Sequence, residues 1–208
     1  MKLTSKHKKT VLNARNISAL LVIAGMSSLC HAESLTQQQV LEQQANQRIA
    51  EFSQALKGQL QAAIKQGGLI NAVAPAIAAE NSKEGWTLTR TSLRVRNSDN
   101  TPDEWELSQL QQFELMNASG QQPEDKPIVA SEFIVNEGKT QFRYMKAIPA
   151  QQLCLGCHGS NIEPEVSALL SKTYPDDKAV NFSLGDIRGA FSLKKDIETP
   201  ASSVTAKP

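Results

Sequence analysis

Three residues able to do chemistry stand together near the C-terminal end of the chain: Cys154, Cys157 and His158, in the run Cys-Leu-Gly-Cys-His. C-x-x-C-H is the attachment signature of a c-type haem. Two thiols three positions apart can each add to one vinyl group on a porphyrin edge, and the adjacent imidazole then gives a nitrogen to the iron. Gly156, between the thiols, lets the backbone lie close to a macrocycle without a side chain in the way. A thioredoxin-like redox pair and half of a zinc site are the other readings. Zinc needs two further Cys or His ligands, and a thioredoxin-type pair needs a βαβ unit close by. With the leader described next removed, the chain offers neither. The expectation is one haem c, covalent through Cys154 and Cys157, with His158 on the iron.

The N-terminus reads as a secretory signal peptide over residues 1–32. Lys2, Lys6, Lys8, Lys9 and Arg15 form its positive region, Ile17 to Cys30 a short apolar stretch, and Cys30-His31-Ala32 a small-x-small cleavage site before Glu33. The apolar run is short for a membrane span, which needs about 20 residues. A lipidated Cys30 and an uncleaved anchor are the competing readings. Cleavage after Ala32 removes Cys30, His7 and His31 and leaves 17 basic against 21 acidic residues, a net charge of −4. That balance gives no support to nucleic-acid binding. Export agrees with haem attachment, which takes place where free thiols would otherwise pair. The expected location is the periplasm, with no membrane span after cleavage.

The elements that must position the motif are legible in the periodicity. Leu41, Ala45, Ile49, Phe52, Leu56, Leu60 and Ile64 recur at three- and four-residue steps, so Ser34 to Gln66 predicts a long amphipathic helix. Thr36 with Gln39 suits its start and Gly67-Gly68 its end. Its stripe serves as core or as the seam of a homodimer. A second helix is expected over Leu69 to Glu80, with Pro75 a kink or first turn. Trp86 to Arg96 alternates as a strand, with Arg90, Arg94 and Arg96 on one side. Thr101-Pro102-Asp103-Glu104 predicts a helix capped by Thr101 and running to about Asn117, with Trp105, Leu110 and Phe113 buried. Ser119 to Lys126 is a polar loop. Pro127 to Asn136 and Lys139 to Ile148 form a hairpin, Glu163 to Thr173 a short helix, and Asp186 to Lys195 a closing strand. Residues 33–198 then make one α+β domain, an antiparallel sheet flanked by helices, and 199–208 a disordered tail.

Four stretches carry a likeness beyond composition. RTSLRVRNSDNTPDEWE (Arg90 to Glu106), FRYMKAI (Phe142 to Ile148), CLGCHG (Cys154 to Gly159) and GDIRGAFS (Gly185 to Ser192) come in this order. Together they resemble the Tll-type single-haem c domain, a bacterial and cyanobacterial family, over about Leu41 to Leu193. The resemblance implies a PAS-like fold with one covalent haem, found in free periplasmic proteins and as the sensory input of larger signalling proteins. It also implies a role in redox or small-ligand sensing. Family members often carry a cysteine before the segment here occupied by Ala74 to Ala78, proposed as the distal haem ligand. Leu69 to Val73 hold no thiol in this chain, so that ligand is not carried over. Ser98 and Ala147 stand where family members often have proline.

His158 is the sole histidine after residue 32, so the distal candidates are Met145, Met116, a lysine, Tyr144, water or nothing. Met145, nine residues before Cys154, is the named candidate, although a methionine at a strand position is more often core filler. Haem propionates need cations or solvent, and Arg90, Arg94, Arg96 and Arg143 are the supply. Arg90 and Arg96 lie in the family-like stretch and are preferred. No nucleophile–base–orienter grouping is visible, so the expectation is a non-enzyme. Redox or small-ligand sensing stands first, with a diatomic gas as candidate ligand and a redox or signalling protein as partner. Monohaem electron transfer is the alternative.

Overall fold

The computed structural model describes residues 35–73, 81–120 and 126–198. The expected leader and its cleavage site, Pro75, the Ala74–Ala78 segment, most of the polar loop and the C-terminal tail lie outside the described residues. Among those described, no helix is long and apolar enough to cross a membrane.

The fold is α+β, as expected, with an antiparallel five-stranded sheet and the long N-terminal helix. That helix, α1 (Gln37–Ala72), opens with the Thr36–Gln39 capping box. Gly67 and Gly68 leave helical geometry, as expected of a stop, yet a further turn follows from Leu69. Gly68 sits at φ 73°, a left-handed conformation that only glycine adopts without cost. β1 (Asn81–Lys83) and β2 (Trp86–Thr91) lead through a short 3₁₀ turn to α2 (Glu104–Ser119). β3 (Val129–Asn136) and β4 (Lys139–Pro149) are joined at Glu137-Gly138, both with positive φ, in the two-residue turn the hairpin pattern predicts. α3 (Gln152–His158), α4 (Pro164–Thr173) and β5 (Ile187–Ile197) complete the chain. The strand order is β1-β2-β5-β4-β3, so the last strand is central and pairs antiparallel with both β2 and β4.

Alternation along the strands divides the core in two. On one face Leu41, Ala45, Ile49 and Phe52 of α1 pack on Trp86, Leu88, Phe142, Tyr144, Phe191 and Leu193. On the other, Leu110 and Phe113 of α2 pack on Ile128, Met145, Ile187 and Ala190. Full burial of side chains of this size contributes about 1.5–3 kcal/mol each. The packed part of the α1 stripe ends near Leu56, while Leu60 and Ile64 stay half-buried.

The ends of β2 and α2 differ from the sequence reading, because side-chain hydrogen bonds set them. The strand expected to reach Arg96 ends at Thr91. There Ser92 Oγ donates to the Arg188 carbonyl (2.8 Å) and accepts from the Arg94 amide (3.1 Å), which turns the chain out of the sheet. The helix expected to be capped by Thr101 is capped by Asp103, whose carboxylate accepts from Glu106 N–H (2.9 Å) while Glu106 accepts from Asp103 N–H (3.0 Å). Thr101 Oγ1 is taken by the Ser98 carbonyl at 2.6 Å. Arg143 pairs with both acids, at 2.8 Å and 3.3 Å, and Ser192 Oγ donates to Glu106 at 2.6 Å, pinning the start of α2 to the sheet.

Candidate functional site

α3 places Cys154, Cys157 and His158 at steps of three and four residues, on one helical face. Its start is fixed to the turn before β5: Ala150 N–H donates to the Asp186 carbonyl (2.8 Å) and Gly185 N–H to the Ala150 carbonyl (2.9 Å). Its end is strapped by the segment ahead of β5. Phe182 N–H donates to the His158 carbonyl (2.9 Å) and Asn181 N–H to the Gly159 carbonyl (3.2 Å). The turn resumed after Gly68 lies against the same helix, for a Cβ on Gly156 would stand 2.9 Å from Leu69 Cδ1. The Gly67-Gly68 break therefore serves the site by letting the end of α1 fold back beside it.

Both thiols are free and half-buried. Cys157 packs with Val73, Val166 and Leu170, and this burial raises its pKa. Among the described residues no three His, Cys, Asp or Glu side chains converge where they could hold a metal.

His158 is the best-defined group. Its Nδ1 lies 2.8 Å from the Ala179 carbonyl oxygen, which can only accept, so Nδ1 carries the proton and Nε2 keeps its lone pair. Burial first, then the Arg188 and Arg96 cations, push its pKa down to about 3, so the ring is neutral at pH 7. The Phe182 ring meets it edge-on at 6.2 Å.

Arg96 holds this geometry. Its Nε donates to Asp177 (2.8 Å), and its Nη2 donates to the carbonyls of Cys157 (2.5 Å) and Ala179 (3.2 Å). One guanidinium thus ties the thiol helix to the carbonyl that orients His158. Arg94 lies 3.5 Å from the Phe182 ring centroid and donates to the Val180 carbonyl at 3.0 Å. Arg90, on the α1 face of β2, joins Arg96 among the cations near His158, while Arg143 is engaged on the α2 face.

The sequence reading passed over Arg188. It is the extra residue of a β-bulge, since Ile148 pairs with Gly189 and Pro149 with Ile187. The bulge turns Arg188 to the cations near His158, where it feels the charges of Arg96, Arg90 and Asp177. Strict alternation would put it opposite Ile187, Gly189, Phe191 and Leu193, and in the sequence it stands only within GDIRGAFS.

Met145, Tyr144 and Met116 lie in other parts of the fold. Met145 is fully buried in the α2 core, in a different cluster from Cys157. Tyr144 lies under α1, and Met116 is two-fifths exposed on α2. A cleft of about 920 Å³ opens beside α3, lined by Leu69, Leu155, Gly156, Gly159, Phe182 and Leu184 among others. It falls in the size range of cofactor pockets, about 300–1,000 Å³. The thiols and His158 are not on its wall, so the cleft borders α3 on a face other than theirs.

The residues present fit a covalently held haem. Two thiols and an imidazole with a free Nε2 share one face, and Arg90 Nε and Arg188 Nε are buried with no hydrogen-bond partner, as sites awaiting an anion would be.

No protein of curated function matches the chain. Among solved structures it is similar to the cyanobacterial heme-protein Tll0287, at 22% identity and a TM-score of 0.41, over 56% of this chain. The match covers 65% of that protein's chain, a little under two thirds. The Tll0287-like family model matches residues 28–195, most of the sequence, and the chain belongs to that family.

Proposed function

We propose that this chain is an exported periplasmic protein carrying one haem c, bound through Cys154 and Cys157 with His158 as iron ligand, and that it senses redox state or a small ligand. One observation carries the reading: the C-x-x-C-H residues share a face of α3, with the His158 proton fixed on Nδ1 by Ala179 and the lone pair left on Nε2. Family membership supports it, the namesake being described as a heme-protein. When bound, the haem supplies a redox-active iron with a further coordination position.

The protein's own residues orient and shield. Ala179 and Arg96 set the imidazole, and Val73, Val166 and Leu170 give the Cys157 side apolar surroundings suited to a small uncharged ligand. Sensing is favoured because Met145, the named distal candidate, is held in the α2 core and Tyr144 under α1. A redox or signalling partner would take the output. Electron transfer is the second reading, favoured by exposed Leu153 and Leu184 at the cleft, apolar surface of a kind a transient partner covers. Neither role is enzymatic.

The test is the absorption spectrum of the ferrous protein, made with a cytochrome-maturation system, before and after carbon monoxide. Ready binding supports sensing, a six-coordinate spectrum untouched by the gas supports electron transfer, and a colourless protein refutes both.

A further inference from the structure

The arginines around α3 fall into two kinds. Arg94 and Arg96 are engaged by the protein, Arg94 with Phe182, two carbonyls and Asp186 at 3.9 Å, Arg96 with Asp177 and two carbonyls. Arg90 and Arg188 are not. The Nε of each is buried without a hydrogen-bond partner, and among the described residues neither forms a salt bridge. The hydrogen bond recorded for the Arg188 side chain is a long one, Nη1 to the Arg94 carbonyl at 3.5 Å, and its Cζ stands 5.2 Å from the Phe182 ring centroid.

Two guanidinium groups so placed repel one another, and their buried donors cost free energy until an anion meets them. Both have a reason to point here. Strand alternation puts Arg90 on the same sheet face as Trp86 and Leu88, and the bulge opposite Pro149 brings Arg188 onto the Phe182 side, within electrostatic range of Arg90 and Cys154. Asp177, the nearby carboxylate, is already paired with Arg96. A ligand attached to Cys154 that carries two carboxylates would complete both cations with forked hydrogen bonds.

We propose that Arg90 and Arg188 bind the propionate carboxylates of the haem, and that Arg96 braces the protein and makes no propionate contact. The assignment rests on the haem reading above. It gives the pair a second effect: two cations beside the macrocycle favour the reduced iron and hold the propionates ionised.

The test uses haem-loaded Arg90→Gln, Arg188→Gln and Arg96→Gln, with Arg90→Lys and Arg188→Lys as companions. Covalent haem is scored by the pyridine haemochrome, the cation effect by midpoint potential from pH 5 to 8, and the contact itself by the propionate bending band in resonance Raman spectra. Arg90→Gln and Arg188→Gln should each change the reduced-to-oxidised ratio at fixed potential about tenfold toward oxidised, or about 59 mV for one electron. Their propionate bands should shift and their potentials become pH-dependent. The lysine variants should keep the potential yet still shift the band, and they decide the matter if a glutamine variant does not fold. Arg96→Gln should leave the band in place. A wild-type band and potential in Arg188→Gln, or a band moved only by Arg96→Gln, overturns the assignment while leaving the haem intact. A wild type that takes up no haem overturns the assignment and the reading beneath it.

Discussion

Replacing Arg96 by leucine should loosen the site at a stroke, and the size of the effect follows from its contacts. Arg96 and Asp177 form an ion pair at 2.8 Å with side chains 13% and 10% exposed, so water replaces little of what is lost. Removing one member of such a pair costs about 3–5 kcal/mol, because the other charge stays buried. The carbonyls of Cys157 and Ala179 lose a donor as well, at about 1 kcal/mol each, while Asp177 keeps its bond from Ala179 N–H at 2.7 Å. These terms do not add fully, and the net expectation is about 4 kcal/mol. For a domain of this size that lowers the melting temperature by roughly 8–16 °C. The assay is urea and thermal unfolding in a Cys154→Ala/Cys157→Ala background, so that no covalent cofactor masks the change. Adding Asp177→Leu to Arg96→Leu should recover part of the loss, since no charge is then left unpaired. A single-variant loss below about 1 kcal/mol, or strictly additive losses, would refute the role given to Arg96.

Other consequences are simpler to read. His158 titrates near 6.5 when unfolded and near 3 in the fold, so below pH 6.5 the unfolded chain binds a proton that the folded chain cannot. In the same cysteine-free background, stability should fall by about 1.4 kcal/mol per pH unit from that side chain as pH drops from 6.5 toward 3. His158→Phe should remove this part of the slope, and parallel pH profiles for the two proteins would argue against a neutral buried ring. Met145→Ala should cost about 2–5 kcal/mol, as a cavity in the α2 core, yet leave the visible spectrum of the haem-loaded protein unchanged. A changed ligand-field spectrum would restore Met145 as an iron ligand. At Gly189 a Cβ would meet the Thr91 carbonyl oxygen at 2.3 Å, so Gly189→Ala should cost about 1–3 kcal/mol, with stability near wild type as the contrary result.

Strong local periodicity made much of the architecture readable. The four-residue steps from Leu41 to Phe52, the Asn136-Glu137-Gly138 turn and Pro164 at a helix start each carry their geometry in a few neighbouring residues. Boundaries set by distant partners were harder. Thr91 ends β2 because Ser92 bonds to Arg188, a contact between residues almost a hundred positions apart. Asp103 outcompetes Thr101 as cap because Arg143 and Glu106 meet it from the sheet and the next turn. The site divides the same way. Cys154, Cys157 and His158 announced themselves by spacing, but which arginines stay unpaired beside them depends on a bulge and on Asp177 and the carbonyl oxygens of Cys157 and Ala179. Neither the bulge at Arg188 nor the pairing of Arg96 with Asp177 is written in local alternation.

The central claim is a covalent bond between two sulfurs of α3 and a haem. Tryptic digestion of the protein made with a cytochrome-maturation system, followed by mass spectrometry under denaturing conditions, addresses it directly. The peptide from Ala147 to Lys172 holds both thiols and His158. It should carry the mass of one haem, and lose it when Cys154 and Cys157 are both replaced by alanine. Recovery of that peptide from the wild type with two unmodified thiols would contradict the account.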